Sequence, residues 1–195
     1  MGPQNLHPKH ASKSHTTKKR IHSHSSTPSR SSTPVNANQS DGIPRHAIRL
    51  ASDQAFPNES ITGHPVTIDY RQEQIFLGLV PVGGGLHPCK IVKEFQPPVR
   101  YGYAGGENEW NEDYYLVPFD GARMEWVSTS HGKPPMGKRP VDGGHEQGGQ
   151  PLYHAIGEVE GVRTIGKAGE HLGGANFPFG GVELFNEYYE VLCWR

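Results

Sequence analysis

Two stretches of this chain repeat one another. Gln74-Ile75-Phe76-Leu77-Gly78 aligns with Pro151-Leu152-Tyr153-His154-Ala155, setting Phe76 on Tyr153 at an offset of 77. At the same offset Asp69 falls on Glu146, Lys90 on Lys167 and Pro57 on Pro134. Further on, Asn111-Glu112-Asp113-Tyr114-Tyr115-Leu116-Val117 meets Asn186-Glu187-Tyr188-Tyr189-Glu190-Val191-Leu192 at an offset of 75, as do the pairs Gly105-Gly106 and Gly180-Gly181. A single short match means little, but three blocks in one order at nearly one offset mark a duplication. Repeats of this kind constrain a fold before any local signal does. Two such copies share a core or pack face to face, and the pseudo-two-fold that results presents two equivalent surface sites. The chain divides into a tail over 1–42, a first repeat over 43–122 and a second over 123–195.

Each repeat reads as β. Short runs rich in β-branched and aromatic residues lie at 66–70, 74–80, 89–95, 113–117, 124–128, 152–157 and 188–193. All are of strand length. Turn signals separate them, among them Gly83-Gly84-Gly85, Gly143-Gly144 and Gly173-Gly174. No window sustains an apolar period of 3.6 residues. The 25 Gly and 17 Pro among 195 residues leave little room for helix, while 7 Phe, 8 Tyr and 3 Trp suffice for a core. The expected class is all-β.

The tail differs in kind. It holds Lys9, Lys13, Lys18, Lys19, Arg20 and Arg30 against Asp41, with five histidines and almost no apolar side chain. Such a segment cannot offset the entropy of ordering and is expected to be a solvated, disordered tail. Weak metal binding or attachment to an anionic surface is its alternative role. The overall net charge of −1 therefore conceals an acidic remainder, which has no general attraction for nucleic acid. The two cysteines, Cys89 and Cys193, lack zinc spacing and are too few for a disulfide framework, so buried thiols are expected. No apolar run is long enough to span a membrane, and no secretory leader is visible. Residence in the cytoplasm is the expectation, with unconventional export left open.

The residues Trp126-Val127, Gly132-Lys133-Pro134-Pro135, Gly143-Gly144-His145-Glu146, Pro151-Leu152-Tyr153, Ile165-Gly166-Lys167, Phe177-Pro178-Phe179-Gly180-Gly181 and Tyr189-Glu190-Val191-Leu192 resemble the DM-nine repeat. The first copy carries the pattern more loosely. The resemblance implies two intertwined β-rich repeats in one compact unit that forms a homodimer. It also implies a mannose-recognising lectin of innate immunity. In the family an Asp following a Gly-Gly turn and a Lys after Pro-Gly hold the sugar. Here those positions are Asp69 and Lys90 in the first copy, Glu146 and Lys167 in the second. The second copy has Glu for Asp, one methylene longer, and Gly148 where a second Asp is common. The first has Thr67-Ile68 in place of a Gly-rich approach and Cys89 in place of the Gly before the lysine.

An acid and a lysine suit this task. A carboxylate accepts two O–H bonds from vicinal hydroxyls, and an ammonium donates to their oxygens. Such charge-assisted bonds are about twice as strong as neutral ones. Aromatic support for the sugar ring is expected from among Tyr70, Tyr101, Tyr103, Phe177 and Phe179. The plain alternative is a surface ion pair in each copy, contributing about 0–1 kcal/mol. Trp126 and Trp194 read as packing residues. Trp110 falls in a polar segment, where exposure would be informative. His145, beside Glu146, suits either the site or a turn. The acids Glu107, Glu109, Glu112 and Asp113 lack the ordered spacing of a calcium loop and read as a solvated acidic loop. No cofactor or metal is called for. Nucleophile and zinc signatures are missing too, so a binding protein is expected in preference to an enzyme. Pore-forming members of the family carry an added C-terminal module, and that activity is not expected. A scaffold that kept the fold and lost the sugar is the competing reading.

Overall fold

The computed structural model describes residues 42–195. All but the last residue of the expected tail lies outside the described residues. The first repeat supplies β1 (Ile48–Leu50), β2 (Thr67–Ile68), β3 (Gln74–Val82), β4 (Gly85–Val92), β5 (Val99–Tyr103), β6 (Gly106–Trp110) and β7 (Tyr114–Val117). The second supplies β8 (Met124–Ser130), β9 (Arg139–Pro140), β10 (Asp142–His145), β11 (Pro151–Val159), β12 (Val162–Gly169), β13 (Gly174–Phe179), β14 (Val182–Asn186) and β15 (Tyr188–Trp194). The protein is all-β, with one short helix at Glu59–Thr62 and one 3-10 turn at Glu170–Leu172 among the described residues. No helix among them is long and apolar enough to cross a membrane.

Four hairpins build the duplicate frame. Their two-residue turns are Gly83-Gly84, Ala104-Gly105, Glu160-Gly161 and Gly180-Gly181, each with positive φ at both positions. That backbone twist matches the right-handed twist of the flanking strands, so these loops close hairpins without splaying them. The pairs β3–β4 and β11–β12 have equivalent registers: Leu77 faces Lys90 as His154 faces Lys167. The hairpins β5–β6 and β13–β14 follow each.

The repeats are intertwined. The strands β4, β5, β6, β14, β13, β12, β11 and β10 form a closed ring, because β6 pairs with β14 and β10 pairs with both β11 and β4. At the first junction Glu107 N–H donates to the Gly181 carbonyl and Glu183 N–H donates to the Gly105 carbonyl, which is a reciprocal exchange between repeats. Closure removes free strand edges there. The remaining strands extend the sheet beyond the ring on either side.

β3, covered between β7 and β4, and β4, a strand of the ring, are buried along nearly their whole length and do not alternate. The central core draws Ile75, Leu77, Leu79 and Leu86 from one repeat and Ile156, Ile165 and Leu192 from the other. Each repeat adds a core of its own, around Phe76 and Ile91 in the first and Ala155 and Phe177 in the second. Trp126 and Trp194 pack against the central core. Both cysteines are free and buried.

The expected runs differ from the strands in bounds and in number. The strand expected at 89–95 starts at Gly85 and ends at Val92, and the one expected at 66–70 pairs only over Thr67–Ile68. Eight strands, β1, β5, β6, β9, β10, β12, β13 and β14, lie outside the expected runs. β6 and β14 are half-buried over most of their length; β6 is polar, and each strand pairs along its own hairpin while meeting the other across the repeat boundary at Gly106 and Val182.

Candidate functional site

Lys90 lies on β4 and Lys167 on β12, and both are buried. Each ammonium reaches into the other repeat. Lys90 Nζ donates to the Pro178 carbonyl at 2.7 Å and lies 5.8 Å from the Phe179 ring centroid. Lys167 Nζ donates to the Gly102 carbonyl at 2.9 Å and lies 5.6 Å from the Tyr103 ring. The arrangement is pseudo-symmetric, since Gly102 and Tyr103 correspond to Pro178 and Phe179 at an offset of 76.

The ion partners of the lysines are two glutamates, Glu107, expected in a solvated acidic loop, and Glu183, for which no role was expected. Lys90 Nζ sits 2.8 Å from Glu107 Oε1, and Lys167 Nζ sits 3.2 Å from Glu183 Oε1. Each glutamate also accepts an N–H from the facing repeat. Gly181 donates to Glu107 Oε2 at 2.9 Å, and Gly105 to Glu183 Oε2 at 3.1 Å. Glu107 is thus a structural carboxylate on β6, not part of a solvated acidic loop. A detectable signal existed. Aligning the Gly-Gly pairs at an offset of 75 sets Glu107 against Val182; the turn geometry puts them at 76, which sets it on Glu183. A slip of one residue moves every strand side chain to the opposite face.

Neither Asp69 nor Glu146 forms an ion pair with the lysine of its own copy. Asp69 instead fixes the turn that it opens: its Oδ1 accepts the N–H of Arg71 at 2.8 Å and of Glu73 at 2.9 Å. Its Oδ2 is buried and has no hydrogen-bond partner. Asp69 and Lys90 nevertheless line one cavity of about 680 Å³, along with Tyr70, Arg71, Phe95, Glu107, Thr164 and Phe179. That volume lies within the range of small-ligand sites. Of the five candidate aromatics, Tyr70 and Phe179 reach this cavity, at 6.4 Å from each other with rings steeply inclined. Tyr101 and Phe177 belong to the core.

The second copy keeps the turn and alters its contents. Glu146 N–H donates to the Gln150 carbonyl, as Asp69 N–H does to that of Glu73. Its longer side chain turns away from the local amides toward two imidazoles, His171 Nε2 at 3.3 Å and His87 Nε2 at 3.5 Å. The His87 contact is not a hydrogen bond, since neither ring nitrogen has a bonding partner. His87 corresponds to Thr164 at the offset of 77, occupying the place that the threonine holds at the first cavity, and packs edge-on against Tyr103. A buried imidazole thus stands at the second site where the first has a threonine. Burial pushes the His87 pKa down to about 4; Glu146 opposes this, while Lys167, His145 and His171 reinforce it. His145 itself belongs to the turn, its Nδ1 meeting the Glu146 carbonyl at 2.9 Å. Trp110 is half-buried on β6, where its indole N–H donates to the Asp113 carbonyl.

A duplicated, closed β-fold with one buried lysine site per repeat defines a tandem-repeat β protein. The DM9 repeat profile matches residues 69–186, more than half of the chain, and the chain belongs to this family. A search of the curated proteins gives no match. Among solved structures the chain is similar to the crystal structure of the nematode sperm cell motility protein MFP2B, at 15% identity and a TM-score of 0.50. The match covers 76% of this chain but only 45% of that one, so the chain spans less than half of that relative's length. This likeness is one of fold.

Proposed function

We propose that the protein is a metal-independent, lectin-like binding protein for mannose-type glycans, without catalytic activity, and that the first-copy cavity is its principal sugar site. One observation carries this reading: Asp69 and Lys90 converge on a single cavity. Asp69 Oδ2 has lone pairs without a partner, and its carboxylate is held in place by two amides. Lys90 uses two donor directions on Pro178 and Glu107, leaving a third for a ligand oxygen. Tyr70 and Phe179 supply apolar surface for a ring. Such a site alone binds at about 1 mM, so useful avidity needs a homodimer or a multivalent glycan.

Glu146 and Lys167 form the second site of the duplication. The His87 imidazole and the diverted Glu146 support a weaker role for it, and one sugar per chain is the expected stoichiometry. Titrating the full chain with mannose oligosaccharides by NMR tests this. Asp69→Asn and Lys90→Ala should abolish binding, and Glu146→Gln and Lys167→Ala should leave most of it. A wild-type chain with no saccharide response overturns the proposal, as does unchanged binding by Asp69→Asn.

The altered second copy, with Glu146 turned to His87 and His171, also favours a second reading, a protein-interaction module that keeps the fold without the sugar. A partner captured equally well with and without free mannose would support it.

A further inference from the structure

Charges around the first-copy cavity are mostly committed. Lys90 is paired with Glu107 and Glu94 with Lys93. Arg100 pairs with Glu109 at 2.8 Å and donates to the carbonyls of Pro97 and Val99. Two groups remain. One is the Asp69 carboxylate, with its unpartnered Oδ2. The other is Arg71, an exposed residue that lines the same cavity.

Arg71 is held without being neutralised. Its guanidinium lies 5.2 Å from the Tyr70 ring centroid and 5.8 Å from that of Phe95, and Nε–H donates to Tyr70 Oη at 2.9 Å. Among the described residues no carboxylate comes within ion-pair distance of it. The terminal N–H groups are thus oriented by stacking and by one hydrogen bond, and have no acceptor of their own among the described residues. A fork prepared in this way suits a two-oxygen anion, which it binds with two parallel bonds. Pre-organisation reduces the entropy lost when the anion binds.

This equipment is not part of the duplicated frame. At the offset of 77, Tyr70, Arg71 and Phe95 correspond to Gln147, Gly148 and Leu172. The second copy therefore lacks the guanidinium and both rings that hold it. Ion-pair residues common to both repeats are explained by the fold; Arg71 is not.

We propose that the first-copy cavity selects an acidic saccharide, with ring hydroxyls held by Asp69 and Lys90 and an oxyanion on the sugar held by Arg71. This rests on the sugar-binding reading above and names the ligand class. A neutral sugar satisfies the carboxylate and the ammonium but leaves the Arg71 fork to water. A simple anion satisfies the fork but brings no hydroxyl to Asp69. The acidic sugar meets both.

The test compares matched trisaccharides binding to the full chain by calorimetry: neutral mannotriose, trimannuronate, and a sulfated mannotriose. The wild type should bind at least one acidic form about tenfold more tightly than mannotriose, the scale of one charged hydrogen-bond pair. Whether the carboxylate or the sulfate shows the gain identifies the oxyanion. Arg71→Gln should bring the acidic sugar down to the level of mannotriose and leave mannotriose unchanged. Raising the salt concentration should narrow the difference in the wild type and not in the variant. Equal binding of neutral and acidic sugars by the wild type would overturn the proposal while leaving the sugar-binding reading intact, as would an acidic preference that survives in Arg71→Gln. Absence of binding to all three sugars overturns both. Arg71 is exposed, so its replacement leaves the fold in place for the measurement.

Discussion

The Lys90 ammonium lies 2.8 Å from the Glu107 carboxylate, and these side chains are only 9% and 15% exposed. The pair sits where the two repeats join, since Lys90 also holds the Pro178 carbonyl and Glu107 accepts the Gly181 N–H. Removing one partner leaves the other charge buried with its solvation lost. Glu107→Ala is therefore expected to cost about 3 kcal/mol in urea unfolding, and a paired Lys90→Met, Glu107→Leu replacement to recover most of that loss. The equivalent Lys167–Glu183 contact is longer, at 3.2 Å, and Glu183 Oε1 makes no hydrogen bond. Glu183→Ala should cost less than Glu107→Ala. Equal losses at the two positions would contradict this ordering.

Gly144 makes ring closure at β10 possible. It has φ of +90°, and a Cβ built on it would stand 2.1 Å from the Leu86 carbonyl oxygen. That oxygen belongs to β4, the strand with which β10 pairs. Neither backbone can yield without breaking the junction. Gly144→Ala should cost about 2 kcal/mol or more. Hydrogen exchange should show the loss as early opening of amides near Leu86, and unchanged protection there would argue against it.

His154 is a fully buried imidazole whose two ring nitrogens have no partner. Burial drives its pKa down to about 3, with His46 adding to the effect. The folded value lies below the ordinary 6.5, so between about pH 3 and 6.5 the unfolded chain binds the additional proton. Stability should therefore fall as the pH drops through that window. His87 adds the same trend between about pH 4 and 6.5. The first repeat carries Leu77 where the second carries His154. His154→Leu should stabilise the protein by about 1–3 kcal/mol at neutral pH and by more at pH 5, where the histidine titration is removed. Urea midpoints at pH 7.5, 6 and 5 decide it; a constant difference from wild type would show that His154 does not contribute to the acid sensitivity.

Cys89 and Cys193 are 1% and 0% exposed, and burial raises the pKa of both thiols, well above the ordinary value for Cys89. The thiolate is the reactive form, so neither should react with a thiol reagent in the folded state. Titration is expected to find no fast-reacting thiol natively and two after denaturation. A fast-reacting native thiol would show that the local packing opens.

The sequence by itself determined the duplication, the β class and the glycine-marked turns, because these are local or self-similar properties. Gly83-Gly84 and Gly180-Gly181 admit positive φ whatever surrounds them, and Leu77 and Ile156 mark strands by composition alone. It also marked Asp69 and Lys90, now found on one cavity. Only the tertiary structure decided what the lysines pair with. Glu107 and Glu183 sit on β6 and β14, the outer strands of two hairpins that come together only because the two repeats share an edge where β6 meets β14. No local pattern specifies which edges will meet, and a register error of one residue hides the correspondence. The unequal sites arise in the same way. His87 and Thr164 look unremarkable in sequence, yet the fold sets each beside the acid–lysine cluster of the opposite repeat, where a threonine lines the cavity at one site and a buried imidazole faces the acid at the other.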